Sequence, residues 1–195
     1  MNKRSGTNSR QNITRAAIKV FGEKGYKQTT MREVAQKAGM SVGAIYLYFK
    51  NKERLYLELM AEEAADLQQR LERLRNEEPC AALHAYIRSN IDFAEKKRKL
   101  VNLNLKEHDL KFMAPMRKVF FDTQKKLVED ILTAGKEKGV FRVEDLENTA
   151  LLILFAIRGT VVSHFGKQIG NLGTSGTMLG DTLLSYIRNG DDDAV

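Results

Sequence analysis

Hydrophobic residues recur every three or four positions along most of this chain, which is the period of an amphipathic helix. The first stripe ends before Gly25, and it consists of Ile13, Ala16, Ala17, Val20 and Phe21. Similar stripes continue almost to the C-terminus, and only two prolines occur in 195 residues. Because strand-like alternation is scarce, the pattern predicts an all-α protein of about nine helices.

Two short stripes separated by a glycine lie between residues 29 and 49. Thr30 precedes the first stripe and Glu33 follows Thr30 by three positions, which is the spacing of a capping box. Gly39 is suited to the positive φ that ends a helix, and Ser41 is a suitable N-cap for the next one. This pattern is typical both of a helical hairpin inside a core and of a helix-turn-helix that enters the major groove of DNA.

The distribution of charge favours DNA binding over the simple hairpin. Residues 1–60 contain twelve Lys or Arg and four Glu, a net charge of +8, whereas the whole chain has a net charge of +7. The excess positive charge is therefore confined to the segment that contains the helix pair, as binding to phosphates requires.

The residues of this segment also resemble a known family. They are the AA, VF and GY pairs at Ala16, Ala17, Val20, Phe21, Gly25 and Tyr26, then TT, and then VA..AG.S.G.IY.YF..K..L through Leu55. Residues 13–60 resemble the DNA-binding domain of the TetR family of transcriptional regulators, and the resemblance covers about a quarter of the chain. It implies that residues 31–38 and 41–47 are the second and third helices, with the third as the recognition helix.

The resemblance also implies roles for individual residues. Those expected to face base edges are Ser41, Val42, Gly43 and Ala44, and those expected to face phosphates are Thr30, Tyr46, Tyr48 and Lys52. For Tyr48, packing in the core is an equal alternative. Leu47 replaces the polar or aromatic residue that is frequent there in the family, and neither Val42 nor Ala44 can form paired hydrogen bonds with a base. Direct readout is therefore expected to depend on thymine methyl groups and on DNA shape.

Two domains are expected. Residues 8–67 form the helix-turn-helix domain, with the helix-turn-helix itself at about residues 31–50. A long fourth helix that starts near Lys52 leads into a C-terminal helical domain of residues 68–195. The resemblance implies that this second domain binds a ligand and holds a dimer together.

The last two helices are expected to form the dimer interface. Residues 146–165 are apolar nearly all round, and the final helix, at about residues 174–188, has one apolar face. A single chain of this size can bury one such surface, so a second copy is expected to cover the other. The residues predicted at this interface are Leu154, Val161, Met178, Leu179, Leu183, Tyr186 and Ile187.

Aromatic, methionine and a few polar side chains of the C-terminal domain are candidates to line an effector cavity. They are Phe93, Leu103, Phe112, Met113, Met116, Phe120, Phe155, Arg158 and His164. For any one of them, ordinary core packing is the alternative. Arg158 interrupts an apolar run, so a buried guanidinium is expected there, with an acidic partner in a second subunit or in an anionic ligand.

The sequence lacks the motifs of common enzymes and metal sites. It contains no GxSxG, HExxH, P-loop or CxxC motif, and its three histidines are widely separated. The single Cys80 cannot form an internal disulfide, which is consistent with a reducing cytoplasm. No apolar segment follows the basic N-terminus as in a signal peptide, and the longest apolar run, residues 150–157, is too short to cross a bilayer. No metal, cofactor or membrane partner is expected.

These features predict a cytoplasmic, homodimeric DNA-binding regulator and not an enzyme. The expected protein is a repressor that a small-molecule effector releases from a pseudo-palindromic operator in double-stranded DNA. A dimer suits this role because two recognition helices about 34–36 Å apart reach successive major grooves. Two alternatives stay open: an architectural DNA binder without a ligand, and a helical small-molecule-binding protein or enzyme with a basic N-terminal bundle.

Overall fold

The computed structural model describes residues 3–166 and 171–188. Over these residues the backbone forms nine α-helices and two short 3-10 helices, and its β-type pairing is an isolated bridge between Phe141 and Arg188. The α-helices are α1 (Lys3–Gln28), α2 (Met31–Lys37), α3 (Val42–Tyr46), α4 (Lys52–Glu72), α5 (Pro79–Lys96), α6 (Arg98–Lys106), α7 (Ala114–Glu137), α8 (Leu146–Phe165) and α9 (Leu172–Ile187). The 3-10 helices are Arg73–Asn76 and Lys111–Met113. The predicted all-α fold is confirmed; residues 167–170 and 189–195 of the predicted C-terminal domain lie outside the described residues.

The helices divide into two compact units. The first contains the chain up to Ala64 together with Lys97–Met116, and the second contains Ala65–Lys96 and the chain from Arg117 onward. The division between the two units after Ala64 lies three residues before the predicted domain boundary at residue 67. The segment Lys97–Met116 differs from the prediction, which placed it in the C-terminal domain. It packs with the helix-turn-helix because its apolar side chains, Leu100, Leu103, Leu110 and Met113, are buried in the same core.

An aromatic cluster forms the centre of the first unit. The ring of Tyr56 packs edge-on against Phe21 and Tyr26, with centroids 5.2 Å apart in both pairs. Phe112, from the Lys97–Met116 segment, lies 5.2 Å from Tyr26. Rings at this separation gain more than their buried area alone provides, so the cluster fixes α1, α4 and the Lys97–Met116 segment against one another.

Local sequence signals set the ends of the short helices as predicted. Gly25 interrupts α1 with a φ of 78°, and Gly39 follows α2 with a φ of 67°, a backbone region that favours glycine. At the start of α2, Thr30 Oγ1 accepts a hydrogen bond from the Glu33 N–H (3.2 Å), and Glu33 Oε2 accepts one from the Thr30 N–H (2.9 Å). Ser41 caps α3 by accepting a hydrogen bond from the Ala44 N–H (3.1 Å). These caps position the two helices that carry the candidate site.

In the second unit, α5 packs closely against α9. A Cβ atom at Gly176 of α9 would lie 2.9 Å from Ile91 of α5, so only glycine allows this approach. A buried polar chain lies elsewhere in this unit: the Tyr86 hydroxyl donates to Gln124 Oε1 (2.8 Å), and Gln124 Nε2 donates to Gln68 Oε1 (2.7 Å). Burial raises the pKa of the Tyr86 phenol, which therefore stays a donor at all ordinary pH values.

The helix α8 has two dissimilar faces. One face, formed by Ala150, Ile153, Ile157 and Val161, is buried in the second unit. Within the described ranges, α8 is also the one helix that is long and apolar enough to cross a membrane by length and composition alone. The sequence prediction found no such span because it considered only runs without any charge. The other face of α8 carries exposed apolar side chains, among them Leu152 and Phe155.

Candidate nucleic-acid interface

The recognition helix α3 is attached to the core by one side and exposes the other. Ile45 is fully buried in the first unit, and Phe49, just after the helix, is buried with it. Of the residues predicted to face base edges, Ser41, Val42 and Gly43 are exposed and Ala44 is half-buried. A Cβ atom at Gly43 would meet no other atom within 4 Å, so the backbone there is open to a flat surface. The structure brings these residues together on one accessible ridge.

The aromatic and hydroxyl residues predicted to face phosphates are placed unequally. Tyr46 is exposed, whereas Tyr48 is half-buried and packs against the core of the first unit. The Thr30 hydroxyl both accepts from the Glu33 amide and donates to Glu33 Oε2 (3.0 Å), so it is engaged within the protein. Thr30 and Tyr46 are both exposed, but the Thr30 hydroxyl is already bonded to Glu33.

The ammonium of Lys52, predicted to face a phosphate, is hydrogen-bonded within the protein. It donates hydrogen bonds to the carbonyl oxygens of Tyr26 (2.8 Å), Thr29 (2.8 Å) and Lys27 (3.3 Å). It also lies 4.4 Å from the centre of the Tyr26 ring. A lysine has three N–H donors, and here each has a protein acceptor in the turn between α1 and α2. In the structure Lys52 therefore holds the turn, and its contact with a phosphate stays a prediction; its position at the start of α4 did not reveal the turn contacts because the acceptors are more than twenty residues away.

Three cations that the sequence pattern did not single out lie on α2 and just after the recognition helix α3. Arg32, Lys37 and Lys50 are exposed, and none forms a salt bridge within the described part of the chain. Some other cations of the first unit are paired, as Lys24 is with Glu33 and Lys27 with Asp109 (3.0 Å). Arg32, Lys37 and Lys50 lie at exposed positions on α2 and just after α3, opposite the buried stripe. This position relative to the stripe could have identified them from the sequence. Cations without acidic partners are the ones available to phosphate.

The capping box of α2 also shifts a pKa. The ammonium of Lys24, followed by the amide and hydroxyl of Thr30, holds the pKa of the Glu33 carboxyl at about 2. A carboxyl whose pKa is lower in the folded state stabilises the fold above its ordinary pKa of 4.5 and stops doing so as the pH falls toward 2. The start of α2 is therefore fully capped at neutral pH.

The turn between α1 and α2 is also held from the Lys97–Met116 segment. The Tyr26 N–H donates to Glu107 Oε1 (2.7 Å), and the ammonium of Lys27 donates to Asp109 (3.0 Å). Asp109 in turn raises the pKa of Lys27, and burial together with Glu53 and Glu107 raises the pKa of Tyr26 to about 12. Two carboxylates from this segment thus contact the part of the first unit that leads directly into α2.

The residues predicted to line a ligand cavity are divided between the two units. Leu103 and Met113 are buried in the core of the first unit, and Phe112 and Met116 pack against that core. These four residues therefore pack in or against the core, which was the alternative to lining an effector cavity. The sequence did not indicate this because their partners are the helices of the helix-turn-helix domain.

The other predicted ligand residues lie in the second unit. Phe93 and Phe120 are half-buried, and Phe155 is exposed and stacks on Phe121 with centroids 6.2 Å apart. His164 is half-buried, and its Nδ1 atom is buried without a hydrogen-bond partner among the described residues. Arg158 is exposed, not buried as predicted, because it lies on the side of α8 that faces away from the core. Within the described ranges no cluster of three or more His, Cys, Asp or Glu side chains is arranged to hold a metal ion.

The outer faces of α8 and α9 carry a stripe of exposed apolar side chains, hereafter the α8–α9 stripe. Its members are Leu152, Phe155, Val162, Met178 and Tyr186. Of the predicted interface residues, Met178 and Tyr186 belong to it, whereas Val161 is only 7% exposed and packs inward. Leu154, Leu179, Leu183 and Ile187 are half-buried. On α8 the exposed large apolar residues are thus Leu152, Phe155 and Val162, one helical face away from the predicted ones.

Comparison with known proteins agrees with this geometry. Residues 13–59 match the family model described as bacterial regulatory proteins, tetR family. The fatty acid metabolism regulator protein of Bacillus subtilis (strain 168) is 42% identical over 60 residues, which are 31% of this chain and 31% of that protein. The chain thus matches about a third of the length of this curated relative.

Two further matches extend over most of the chain. The uncharacterized HTH-type transcriptional regulator YvkB of Bacillus subtilis (strain 168) is 26% identical over 167 residues, covering 84% of this chain and 86% of that protein. The crystal structure of the transcriptional regulator FadR from Bacillus subtilis in complex with stearoyl-CoA superposes with a TM-score of 0.78 at 25% identity, covering 90% of this chain and 97% of that chain. The helix-turn-helix of this chain thus matches the tetR family of bacterial regulatory proteins, and its all-helical fold is similar to that of FadR over most of the chain.

Proposed function

We propose that the protein is a homodimeric, sequence-specific DNA-binding transcriptional regulator, which acts as a repressor. The observation that carries this proposal is the exposed ridge of α3, with Arg32, Lys37 and Lys50 around it and no acidic partner for any of them in the described part of the chain. An open helix surface supplies access to base edges, and unpaired cations supply attraction to phosphates. Its place of action would be the cytoplasm, where operator DNA is found.

The α8–α9 stripe supports a homodimer. Leu152 is 65% exposed, Phe155 56% and Tyr186 82%, and all three lie on two helices that pack against each other. Exposed apolar side chains on two packed helices are typical of a protein interface, and a second copy of the same surface gives a two-fold arrangement. In this proposal the stripe pairs with itself, and Arg158 beside it lies at the edge of the interface.

The proposed dimer would be released from DNA by a small-molecule effector bound in the second unit. The FadR structure holds stearoyl-CoA, so a long-chain acyl-CoA is the first effector to test. The Lys97–Met116 segment supports a route for release, because it continues directly from α5 and into α7 and holds the turn before α2 through Glu107 and Asp109. A shift of this segment would alter the position of α2 and α3.

A binding selection tests the proposal. The full chain would be incubated at low salt with a pool of random-sequence duplexes long enough for two half-sites, and bound duplexes would be sequenced. The expected result is a pseudo-palindrome with half-sites one helical turn apart, bound by two chains, with affinity that falls steeply as salt rises.

The other outcomes identify the alternatives. Equal binding of all duplexes would indicate an architectural DNA binder, and absence of binding at low salt would indicate a helical protein with another function. Addition of stearoyl-CoA to the selected complex tests the effector separately, because its failure to release DNA would leave the DNA-binding result unchanged.

A further inference from the structure

We propose that Leu47 is a specificity-determining residue that reads the C5-methyl group of a thymine in each half-site of the operator. The proposal deepens the proposed function, and it rests on the recognition helix lying in a major groove. It names the chemical group of the DNA that this particular chain recognises.

The position of Leu47 on α3 follows from the residues that are buried. Ile45 is fully buried, and residues 43 and 47, four positions apart, share the face of the helix opposite to Ile45. Leu47 is 79% exposed. Because Gly43 carries no side chain, Leu47 is the large group on this face, and a flat surface that approaches Gly43 must contact Leu47.

The backbone beneath Leu47 is fixed although its side chain is free. Leu47 is the C-cap of α3, with helical dihedral angles (φ −69°, ψ −24°), and its N–H donates to the Ala44 carbonyl (3.3 Å). The next two amides, of Tyr48 and Phe49, both donate to the Ile45 carbonyl (3.0 Å each). The Leu47 Cα atom therefore keeps its place relative to the helix, as a residue that selects one base pair must.

The chemistry of the neighbouring side chains leaves an apolar contact as the main means of direct readout. Paired hydrogen bonds to guanine or adenine require Arg, Lys, Asn or Gln, and residues 41–47 contain none of these. The apolar group that a base pair presents in the major groove is the thymine methyl. A leucine on the outer face of α3 is suited to contact that group.

Charge identifies DNA, rather than a protein surface, as the occupant of this face. No Asp or Glu occurs between Glu33 and Glu53, whereas Lys37 and Lys50 lie in this stretch and are exposed. Arg32 lies on the exposed side of the adjacent helix α2. An apolar side chain in a stretch with exposed cations and no acids matches the major groove, where methyl groups lie between two rows of phosphates.

The test replaces thymine by uracil, which pairs identically but lacks the methyl group. The probe is the duplex selected from the random pool, resynthesised with symmetry-related pairs of thymines changed to uracil, one pair at a time. For one pair we expect the affinity of the wild-type chain to fall about fourfold per half-site, or about fifteenfold for the dimer, which is the effect of losing one buried methyl contact. Leu47→Ala should bind the thymine duplex correspondingly more weakly and should no longer distinguish thymine from uracil at that pair.

Arg32→Ala is the matched control, because it removes a phosphate contact without touching a base. It should weaken binding of the thymine and uracil duplexes by the same factor and so retain the discrimination. Leu47→Ala removes an exposed side chain, so the variant should keep the helical circular dichroism spectrum and unfolding midpoint of the wild type.

Two results would overturn the assignment of Leu47: uracil duplexes that bind as tightly as thymine duplexes at every pair, or a Leu47→Ala variant that retains the full discrimination. In both cases the selected duplex is still bound, so the proposed regulator function stands. If neither chain binds any duplex of the pool, the proposed function and this inference both fail.

Discussion

Lys52 is a cation whose hydrogen bonds are made within its own protein. The end of a helix leaves carbonyl oxygens without intrahelical partners, and those of Tyr26 and Thr29 follow the interruption of α1 at Gly25. The ammonium of Lys52 accepts no bonds and donates three, so it satisfies these oxygens together with that of Lys27. At the scale of single residues, a positive charge alone therefore does not identify a phosphate contact. The side chain must also have N–H donors that are not already bonded within the protein.

Lys52→Met and Lys50→Met form a matched pair that separates these two roles. Lys52→Met keeps the length of the side chain but leaves the carbonyls without donors, so we expect it to lower the free energy of unfolding by about 1–3 kcal/mol in urea denaturation. Lys50→Met should change that energy by no more than about 0.5 kcal/mol, because Lys50 is exposed and has no acidic partner in the described residues.

In DNA binding, Lys50→Met is expected to have the larger effect of these two substitutions. Lys50→Met should reduce the slope of log affinity against log salt by about 0.9 per protomer, whereas folded Lys52→Met should keep the wild-type slope. A Lys52→Met variant of unchanged stability and reduced salt slope would contradict the structural role and restore the phosphate contact.

At the scale of elements, the turn between α1 and α2 is the point where three parts of the first unit meet. Lys52 reaches it from α4, Glu107 and Asp109 reach it from the Lys97–Met116 segment, and Gly25 allows the turn itself. A Cβ atom at Gly25 would lie 2.7 Å from Glu107 Oε1, so the two elements are in close contact there. The position of α2, and with it α3, depends on contacts that are separated by about eighty residues in sequence.

Substitutions of the two acids should have unequal effects on this turn. Glu107→Ala leaves the partly buried Tyr26 N–H without its acceptor, so we expect hydrogen exchange of that amide to become at least about tenfold faster. Asp109→Ala removes an exposed salt bridge to Lys27, which contributes about 0–1 kcal/mol, and should leave the exchange of the Tyr26 amide nearly unchanged. Equal exchange rates in the two variants would show that Glu107 does not hold the turn.

At the scale of the whole molecule, two apolar surfaces are exposed, and we propose a different partner for each. One is the outer face of α3, which carries Leu47, and the other is the α8–α9 stripe, which carries Leu152. The two surfaces differ in their setting: exposed cations without salt bridges in the described residues lie on α2 and after α3, whereas the second surface carries several large apolar side chains on two helices. The first fits DNA and the second fits a copy of itself.

The same substitution at the two leucines distinguishes the surfaces. Leu152→Arg places a charge in the proposed dimer interface, so the variant should sediment as a monomer at concentrations where the wild type is a dimer, and it should bind the operator far more weakly. Leu47→Arg, at a position that is even more exposed, should sediment as the wild-type dimer. A dimer that persists in Leu152→Arg would place the interface elsewhere.

Several features of the fold and the site follow from short stretches of sequence. The capping box at Thr30, the positive φ at Gly39 and the N-cap at Ser41 were predicted because each depends on residues within a few positions. The all-helical fold followed from hydrophobic period, and the recognition helix followed from family resemblance combined with charge.

The sequence by itself thus determined the helices, their caps, the charge of the first unit and its resemblance to DNA-binding regulators. Only the tertiary structure decided that Lys52 bonds to carbonyls, that Lys97–Met116 packs with the helix-turn-helix, and that Arg158 is exposed while Val161 is buried. The physical reason is the distance over which each property is set. Helix formation and capping depend on neighbours in sequence, whereas a hydrogen-bond partner or a buried helix face depends on residues brought together from distant parts of the chain.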